Sequence, residues 1–360
     1  MRLLFLSTAG HFGGTERWAS MAIAELSARG HEVWMGCPDL PHKGQFIAAD
    51  RLWHGGPTGM FDTAGTARLA AFCRQHQIDA LIPVSQRAYF PAGQVARQLG
   101  LACVLRLGIV RLPWRPVVDW YGYGIYPHAT IVNTQRIKQV LARAPFVKAE
   151  RIHVIYNGIV RKPLAPVKRE PGRFTITSTG TLSYRKGQEH LLRAAGLLPD
   201  ALKAKVHVEL IGDGPARGKL EALVRRLGLE GNVTFTGHLD RPVDHVAASD
   251  LFVLLSSQEG ISNALLEAMD AGVAAYATLV GGHGEFIEDG VNAWVARSRR
   301  PAAVAADLAR IIEAAGRVEV AARGQQSVRE RFSMQAMGDR LEQVIGEAVD
   351  AARKRTDPDA

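Results

Sequence analysis

Residues 250–272 read DLFVLLSSQEGISNALLEAMDAG. The apolar run 251–255 is short and bounded by turn residues, which predicts a buried strand. Residues 256–260 form a turn at its carboxyl end. Ser262 can cap the helix that follows, and Gly272 can close it. The same strand, loop and helix order opens both halves of the chain. Near the start, a strand at 3–7 enters a loop with Gly10, Gly13 and Gly14, then a helix at about 16–28 that stops at Gly30, then the strand HEVWMGC. Near the middle, FTITSTG leads through TLSYRKG into a helix at about 188–198 and the strand VHVELIG. This alternation predicts parallel sheets with crossover helices. A chain of 360 residues is long enough for two such domains.

The two halves meet at NGIVRKPLAPVKREPGR, a basic, proline-rich stretch without periodicity that reads as a linker. Near the end, Ser333 can cap a helix that carries Met337, Leu341, Val344, Ile345 and Ala348 on one side. The expected division is a first domain at 1–158, a linker at 159–173, a second domain at 174–333, a crossing helix at about 334–352 and a fraying tail at 353–360. Open parallel sheets bind ligands beyond the carboxyl ends of their strands. Two of them joined by a linker imply a cleft between domains.

Composition narrows the class. The chain is 47% hydrophobic and 22% charged, as globular proteins are. No apolar run approaches the ~20 residues of a membrane span. MRLLFLSTAG reads as a first buried strand entering a glycine loop, because its apolar run is too short for a leader. Cys37, Cys73 and Cys103 are odd in number and widely spaced, which argues against a disulfide framework or zinc site and fits a reducing cytosol. The net charge is +9 and uneven: residues 1–160 hold 17 Lys and Arg against 9 Asp and Glu, and residues 161–360 hold 27 against 26. A basic first half suits either a solvated surface or an acidic partner or anionic membrane.

Glu259 and Glu267 carry the chemistry of the second half. Glu267 follows the cap among Ala264, Leu265, Leu266, Ala268 and Met269. A helix of that composition is expected to be buried on most sides, where an unpaired carboxylate is costly. Either a nearby ion pair satisfies it or a ligand does. A carboxylate accepts two hydroxyl donors at once, which matches a vicinal diol such as a ribose. Glu259, upstream in the loop, can accept from another polyol, and the helix start between them suits phosphate. Arg185 and Lys186 in STGTLSYRKGQE follow a strand end and precede a helix, so they read as either a solvated turn or a diphosphate clamp. Gly281, Gly282 and Gly284 in LVGGHGEFIEDG permit close backbone approach. In IGDGPARG, Asp213 belongs to a weak phosphate-loop pattern or to a simple turn.

These segments resemble a retaining glycosyltransferase of family 4, also called glycosyl transferases group 1. FGGTERWASMAIAELSARGHEV, VIYNGI, LIGDGPARGKLEALVRRLGL, NVTFTGHL, SDLFVLLSSQEGISNALLEAMDAGV and VGGHGEFIEDGVNAW follow the family's order and cover nearly the whole chain. The resemblance implies an α/β GT-B fold, with two Rossmann-like doubly wound domains facing an interdomain cleft. It implies a nucleotide-diphosphate sugar as co-substrate and no cofactor or catalytic metal. By the same resemblance Glu267 binds the donor ribose, Glu259 the donor sugar and Lys186 the diphosphate, with Arg185 beside it. Gly13 and Gly14 let backbone amides approach the phosphate from the first domain. Gly260, Ile261, Ser262, Asn263 and Leu239 line the donor. The acceptor, a glycan or lipid-linked hydroxyl compound, falls to the first domain.

Two departures stand out. Thr181 occupies a position where the family often has Arg, and Arg185 is the available substitute. Arg106, Leu107 and Gly108 stand where a sugar-contacting histidine is common, and His11 is the available stand-in. With Arg106 and Arg111 it makes the candidate acceptor contacts. The family's retaining route has the acceptor attack the face that the nucleotide leaves, with the phosphate taking the acceptor's proton. No protein base is then required.

RLGIVRLPWRPVVDWYGYGIYP interleaves Arg106, Arg111 and Arg115 with Trp114, Trp120, Tyr121, Tyr123 and Tyr126. Such a mixture suits a membrane rim or anionic glycan, and equally domain packing. The expected placement is cytoplasmic, at the inner face of a membrane. No recognised nucleic-acid reader motif accompanies the basicity. A nicotinamide dehydrogenase is disfavoured: GHFGGTE is not G-x-G-x-x-G, and the second strand ends in MGCP without a ribose-binding acid. A sugar-nucleotide epimerase and a non-catalytic sugar-nucleotide binding protein remain as alternatives.

Overall fold

The computed structural model describes residues 1–8, 14–37, 49–109, 116–161, 163–168 and 171–356. Packing divides the chain into two units: Met1–Val160 with Phe332–Ala360, and Arg161–Arg331.

The first unit is built on seven strands, β1 (Arg2–Leu6), β2 (Glu32–Gly36), β3 (Leu52–Trp53), β4 (Ala80–Pro83), β5 (Ala102–Leu107), β6 (Ala129–Val132) and β7 (Ile152–Val154), in the order β3-β2-β1-β4-β5-β6-β7. All neighbours are parallel. Both faces are covered by helices, so the strands are largely apolar on both sides rather than alternating, with Arg2, Glu32, Arg106, Thr130 and His153 as exceptions. One face packs Trp18, Ile23 and Leu26 of the helix Gly14–Ala28 with Leu341, Ile345 and Val349 of the helix Met334–Thr356. The other packs Leu69, Val95 and Ile137 from the helices Thr63–Gln75, Gln86–Leu99 and Gln135–Leu141.

The second unit has six parallel strands, β8 (Phe174–Thr179), β9 (Val206–Ile211), β10 (Val233–Gly237), β11 (Leu251–Leu254), β12 (Ala275–Ala277) and β13 (Trp294–Val295), in the order β10-β9-β8-β11-β12-β13. Leu191, Leu223 and Leu308 cover one face from the helices Gln188–Gly196, Arg217–Leu227 and Pro301–Glu313. Both units are thus Rossmann-like and doubly wound. In each sheet the strand order reverses once, between β1 and β4 and between β8 and β11, and such a reversal opens a crevice at the carboxyl ends.

The last helix is longer than its sequence implies. It begins where Ser333 Oγ accepts from Ala336 N–H at 3.0 Å, and it continues through Thr356 into the expected tail. Ala352 is buried, and Arg353 reaches Asp79 at 3.0 Å. Arg353, Lys354 and Arg355 also place positive charge at the end where the helix dipole favours it. Near its start Arg29 bonds Asp339 at 2.7 Å and Glu342 at 3.2 Å, and His31 meets Glu342 at 2.9 Å. Asp339 and the other carboxylates hold the Arg29 pKa above its ordinary value.

Candidate active site

Three loops at the carboxyl ends of β8, β11 and β12 interlock in the second unit. The β8 loop passes Gly180 and a short turn at Tyr184–Lys186 before Gly187 starts the next helix. Gly187 has φ +78, and a Cβ there would lie 2.1 Å from Leu255 O at the end of β11. Gly281 has φ +61, and its Cβ would lie 2.1 Å from Glu259 O and 2.4 Å from Gly260 O. Only glycine fits these two backbone crossings. Ser257 N–H donates to Arg185 O at 2.8 Å, and Gly282 N–H donates to Gly260 O at 2.7 Å. The β11 loop is therefore clamped on both sides.

Glu259 sits at the centre of this arrangement and is buried. Its Oε1 accepts from Lys186 Nζ at 2.7 Å and from Ser256 Oγ at 2.8 Å. Arg185 Nη1 lies 3.5 Å from Oε2 and donates to Gln258 O at 2.6 Å. Burial pushes the Glu259 carboxyl up, but the Lys186 charge and hydrogen bond, the Ser256 hydroxyl and the Arg185 charge outweigh it. The group titrates below the ordinary carboxylate range and stays ionised. The Lys186 chain passes Gly180, whose Cβ would lie 3.6 Å from Lys186 Cε and 3.8 Å from Nζ. An ammonium has three donors. One goes to Glu259, so the same group can serve a phosphate oxygen and the carboxylate together.

The helix Asn263–Asp270 follows the β11 loop. Gly260, Ile261 and Ser262 are buried. Ser262 occupies the cap position, yet its hydroxyl makes no capping hydrogen bond. Its carbonyl accepts from Leu266 N–H at 3.1 Å. Burial of Glu267 is less complete than its neighbours imply. Leu265, Leu266, Ala268 and Met269 are buried, while Asn263, Ala264, Glu267 and Asp270 form a half-buried stripe. Glu267 belongs to that stripe, so it does not stand in an all-apolar shell. Its position in the chain places it beyond the helix start that a phosphate would approach.

The remaining expected residues fall as follows. Leu239 is half-buried, two residues beyond β10. Gly14 is the exposed first residue of its helix, and among the described residues nothing beyond its chain neighbours and its own helix backbone lies within 4 Å of where its Cβ would stand. Thr181 is exposed, and Arg185 is directed to the Gln258–Glu259 backbone and carboxylate. Asp213 accepts from Gly214 N–H at 2.7 Å and from Arg217 at 3.3 Å, a turn role. Arg106 is buried in the first unit with its guanidinium 4.4 Å from the Trp18 ring centroid. Burial lowers its pKa to about 10, against the pull of Tyr89 and Glu16. His11, Gly13 and Arg111 lie outside the described residues.

His283, in the β12 loop, was not among the residues expected from sequence. It is completely buried. Its Nδ1 lies 2.8 Å from Thr278 O, and a carbonyl can only accept, so Nδ1 carries the proton. Burial holds its pKa below the ordinary range, with Thr278 O and Glu259 pulling up and Lys186 pushing down. A histidine after two glycines at a strand end was the available signal. An open cavity of about 490 Å³ also adjoins these loops, lined by Ser256, Ser257, Thr278, Asp289, Arg297 and Arg299 among others. It does not include Glu259, Lys186 or Glu267.

Two family models match the chain, "Glycosyltransferase Family 4" over residues 12–161 and "Glycosyl transferases group 1" over residues 162–330. The lipopolysaccharide core biosynthesis glycosyltransferase LpsE of Rhizobium meliloti is 31% identical over 171 residues, 47% of this chain and 49% of that protein. N-acetyl-alpha-D-glucosaminyl L-malate synthase of Bacillus anthracis is 25% identical over 292 residues, 74% of this chain and 76% of that protein. The matched part thus spans about half the length of LpsE. Among solved structures, Anabaena Alr3699/HepE in complex with UDP-glucose superposes with a TM-score of 0.79 at 21% identity, covering 98% of this chain and 100% of HepE. That likeness concerns the fold. The paired α/β units, the clamped Glu-x7-Glu loop and the two family models together show that the chain belongs to the GT-B glycosyltransferases of group 1, family 4.

Proposed function

We propose that the chain is a retaining glycosyltransferase that moves a hexose-type sugar from a nucleotide-diphosphate sugar to a hydroxyl of a glycan or lipid-linked acceptor in cell-envelope polysaccharide synthesis. The observation that carries this reading is the pairing of half-buried Lys186 with buried Glu259 at the β8/β11 switch point, with Glu267 one helix start further on. Glu259, kept ionised, accepts sugar hydroxyls. Lys186 and Arg185 neutralise the diphosphate. Glu267 takes the ribose hydroxyls. The names of the relatives support the substrate class: LpsE acts in lipopolysaccharide core synthesis, and HepE binds UDP-glucose.

Breaking the anomeric bond builds oxocarbenium character on the sugar and negative charge on the departing diphosphate. Cations already fixed by the protein stabilise that charge without reorganising. Lys186 is fixed by Glu259, and Arg185 by Gln258 O. In the retaining route the acceptor attacks the face that the diphosphate leaves, and a phosphate oxygen takes the proton. The acceptor belongs to the first unit in this reading. Among the described residues, no helix is long and apolar enough to cross a membrane. A connected run of rings, Phe61, Phe90, Tyr121 and Trp120, ends in exposed Phe61 and Trp120. We propose that this run meets an anionic membrane surface where lipid-linked acceptors reside.

The test is a transfer assay with UDP-glucose and related nucleotide sugars against lipid-linked and lipopolysaccharide-core acceptors. The expected result is a product heavier by one hexose, whose anomeric configuration matches the donor's by NMR. Donor turnover without acceptor would favour an epimerase. Binding without transfer across the panel would favour a binding protein.

A further inference from the structure

His283 sits behind the Glu259 loop rather than in it. Its Nδ1–H donates to Thr278 O at 2.8 Å. Thr278 Oγ1 donates to Ser256 O at 2.7 Å. Ser256 Oγ donates to Glu259 Oε1 at 2.8 Å. Three hydrogen bonds, joined through the covalent frames of Thr278 and Ser256, thus link the imidazole to the carboxylate. The residue before the imidazole, Gly282, is bonded to Gly260 O at 2.7 Å. Meanwhile Nε2 is buried and has no partner among the described residues.

An unpartnered buried nitrogen is destabilising, and an apolar side chain in the same space would avoid that cost. The imidazole therefore contributes through its other edge. A neutral imidazole with Nδ1 protonated supplies one donor in one fixed direction, and complete burial holds that direction. We infer that His283 is a positioning residue for donor-sugar recognition. It orients Thr278, and through Ser256 it fixes the Glu259 carboxylate for the hydroxyls of the transferred sugar. The nucleotide part of the donor lies outside this chain of bonds. The inference rests on the reading that Glu259 takes those hydroxyls.

The test is calorimetric titration of UDP and of UDP-glucose into wild type, His283→Leu, His283→Asn, Thr278→Val and Glu259→Gln. Leu removes the donor and fills the space. Asn restores an N–H at similar reach. Thr278→Val keeps the side-chain shape and removes the hydroxyl, with its bond to Ser256 O and its longer one to Leu254 O at 3.5 Å. The expected result is that His283→Leu and Thr278→Val weaken UDP-glucose by about 10-fold, the worth of one such hydrogen bond, and leave UDP within about 2-fold. His283→Asn should restore most of the loss. If both variants leave UDP-glucose untouched, or weaken UDP equally, while Glu259→Gln selectively weakens UDP-glucose, the inference is overturned and the donor-site reading stands. If Glu259→Gln is also without selective effect, the donor-site reading fails and takes the inference with it. Should His283→Leu not fold, Thr278→Val against His283→Asn still decides: selective loss in the first and not the second supports the link, and wild-type behaviour in both overturns it.

Discussion

Replacing Lys186 by Met strips the cation from Glu259 while keeping side-chain length. The Glu259 side chain is only 9% exposed and that of Lys186 13%, so solvent screens the pair weakly. Removing one partner of such a pair typically costs about 3–5 kcal/mol, because the other charge stays buried. Arg185 at 3.5 Å and Ser256 Oγ at 2.8 Å remain, so the low end, about 3 kcal/mol, is expected. For a domain of this size that corresponds to a melting temperature about 6–12 °C lower at pH 8. The pH dependence distinguishes the cause. In the native protein Glu259 titrates below its unfolded value. Its contribution is therefore full above the unfolded pKa of about 4.3 and is lost as pH falls through the folded value. In the variant, burial acts with less opposition and lifts the carboxyl above its unfolded value. The penalty is then absent at low pH and grows as pH rises past about 4.3. Calorimetric melts at pH 4.5, 6 and 8 should show the gap between wild type and variant widening with pH. The double variant Lys186→Met/Glu259→Gln should recover at least half of the loss at pH 8. A gap that is constant with pH, or a double variant no more stable than the single one, would mean that the Lys186 charge does not stabilise the buried Glu259 carboxylate.

Other consequences are simpler to test. Gly281→Ala places a Cβ 2.1 Å from Glu259 O at φ +61; it should cost about 1–3 kcal/mol of strain and displace the Glu259 loop, read as a lowered melting temperature together with weakened UDP-glucose binding. All three thiols are buried, and burial raises Cys73 and Cys103 to about 12; a thiol-reactive chromophore at pH 8 should label none of them in the native state and all three after unfolding. Phe61→Ser with Trp120→Ser should abolish cosedimentation with vesicles of 30% anionic lipid, a loading of about one lipid in three, without lowering turnover on a water-soluble acceptor; unchanged cosedimentation would remove the membrane reading.

Much of this organisation is readable from sequence because it rests on local patterns. Short apolar runs ending in turn residues mark β1 and β11, FTITSTG before its loop marks β8, and the carboxylates Glu259 and Glu267 stand out against small, apolar neighbours. What sequence does not show is closure between distant segments. Ser262 looks like a side-chain cap, but its hydroxyl makes no capping bond, and only its carbonyl engages the helix. Glu267 looks enclosed because Leu265, Leu266, Ala268 and Met269 flank it in sequence. On a helix those residues turn inward, and Glu267 shares the outer stripe with Asn263 and Asp270. The tail looks ready to fray at 353, because its partner Asp79 is far away in the chain. His283 was overlooked for the same reason: its role depends on the β12 loop folding onto Ser256 and Gly260.

In the proposed function, the loops after β8 and β11 form a nucleotide-sugar site with separate places for sugar and ribose. The most direct measurement is the affinity of UDP and of UDP-glucose for wild type, Glu267→Ala and Glu259→Gln under one condition. Loss of hydrogen bonds from the ribose to a charged acceptor should make Glu267→Ala bind both ligands about 10–100-fold more weakly. Glu259→Gln should weaken UDP-glucose alone. Wild-type affinity of Glu267→Ala for both ligands, with its fold intact by circular dichroism, would contradict the assignment of this loop as the donor site.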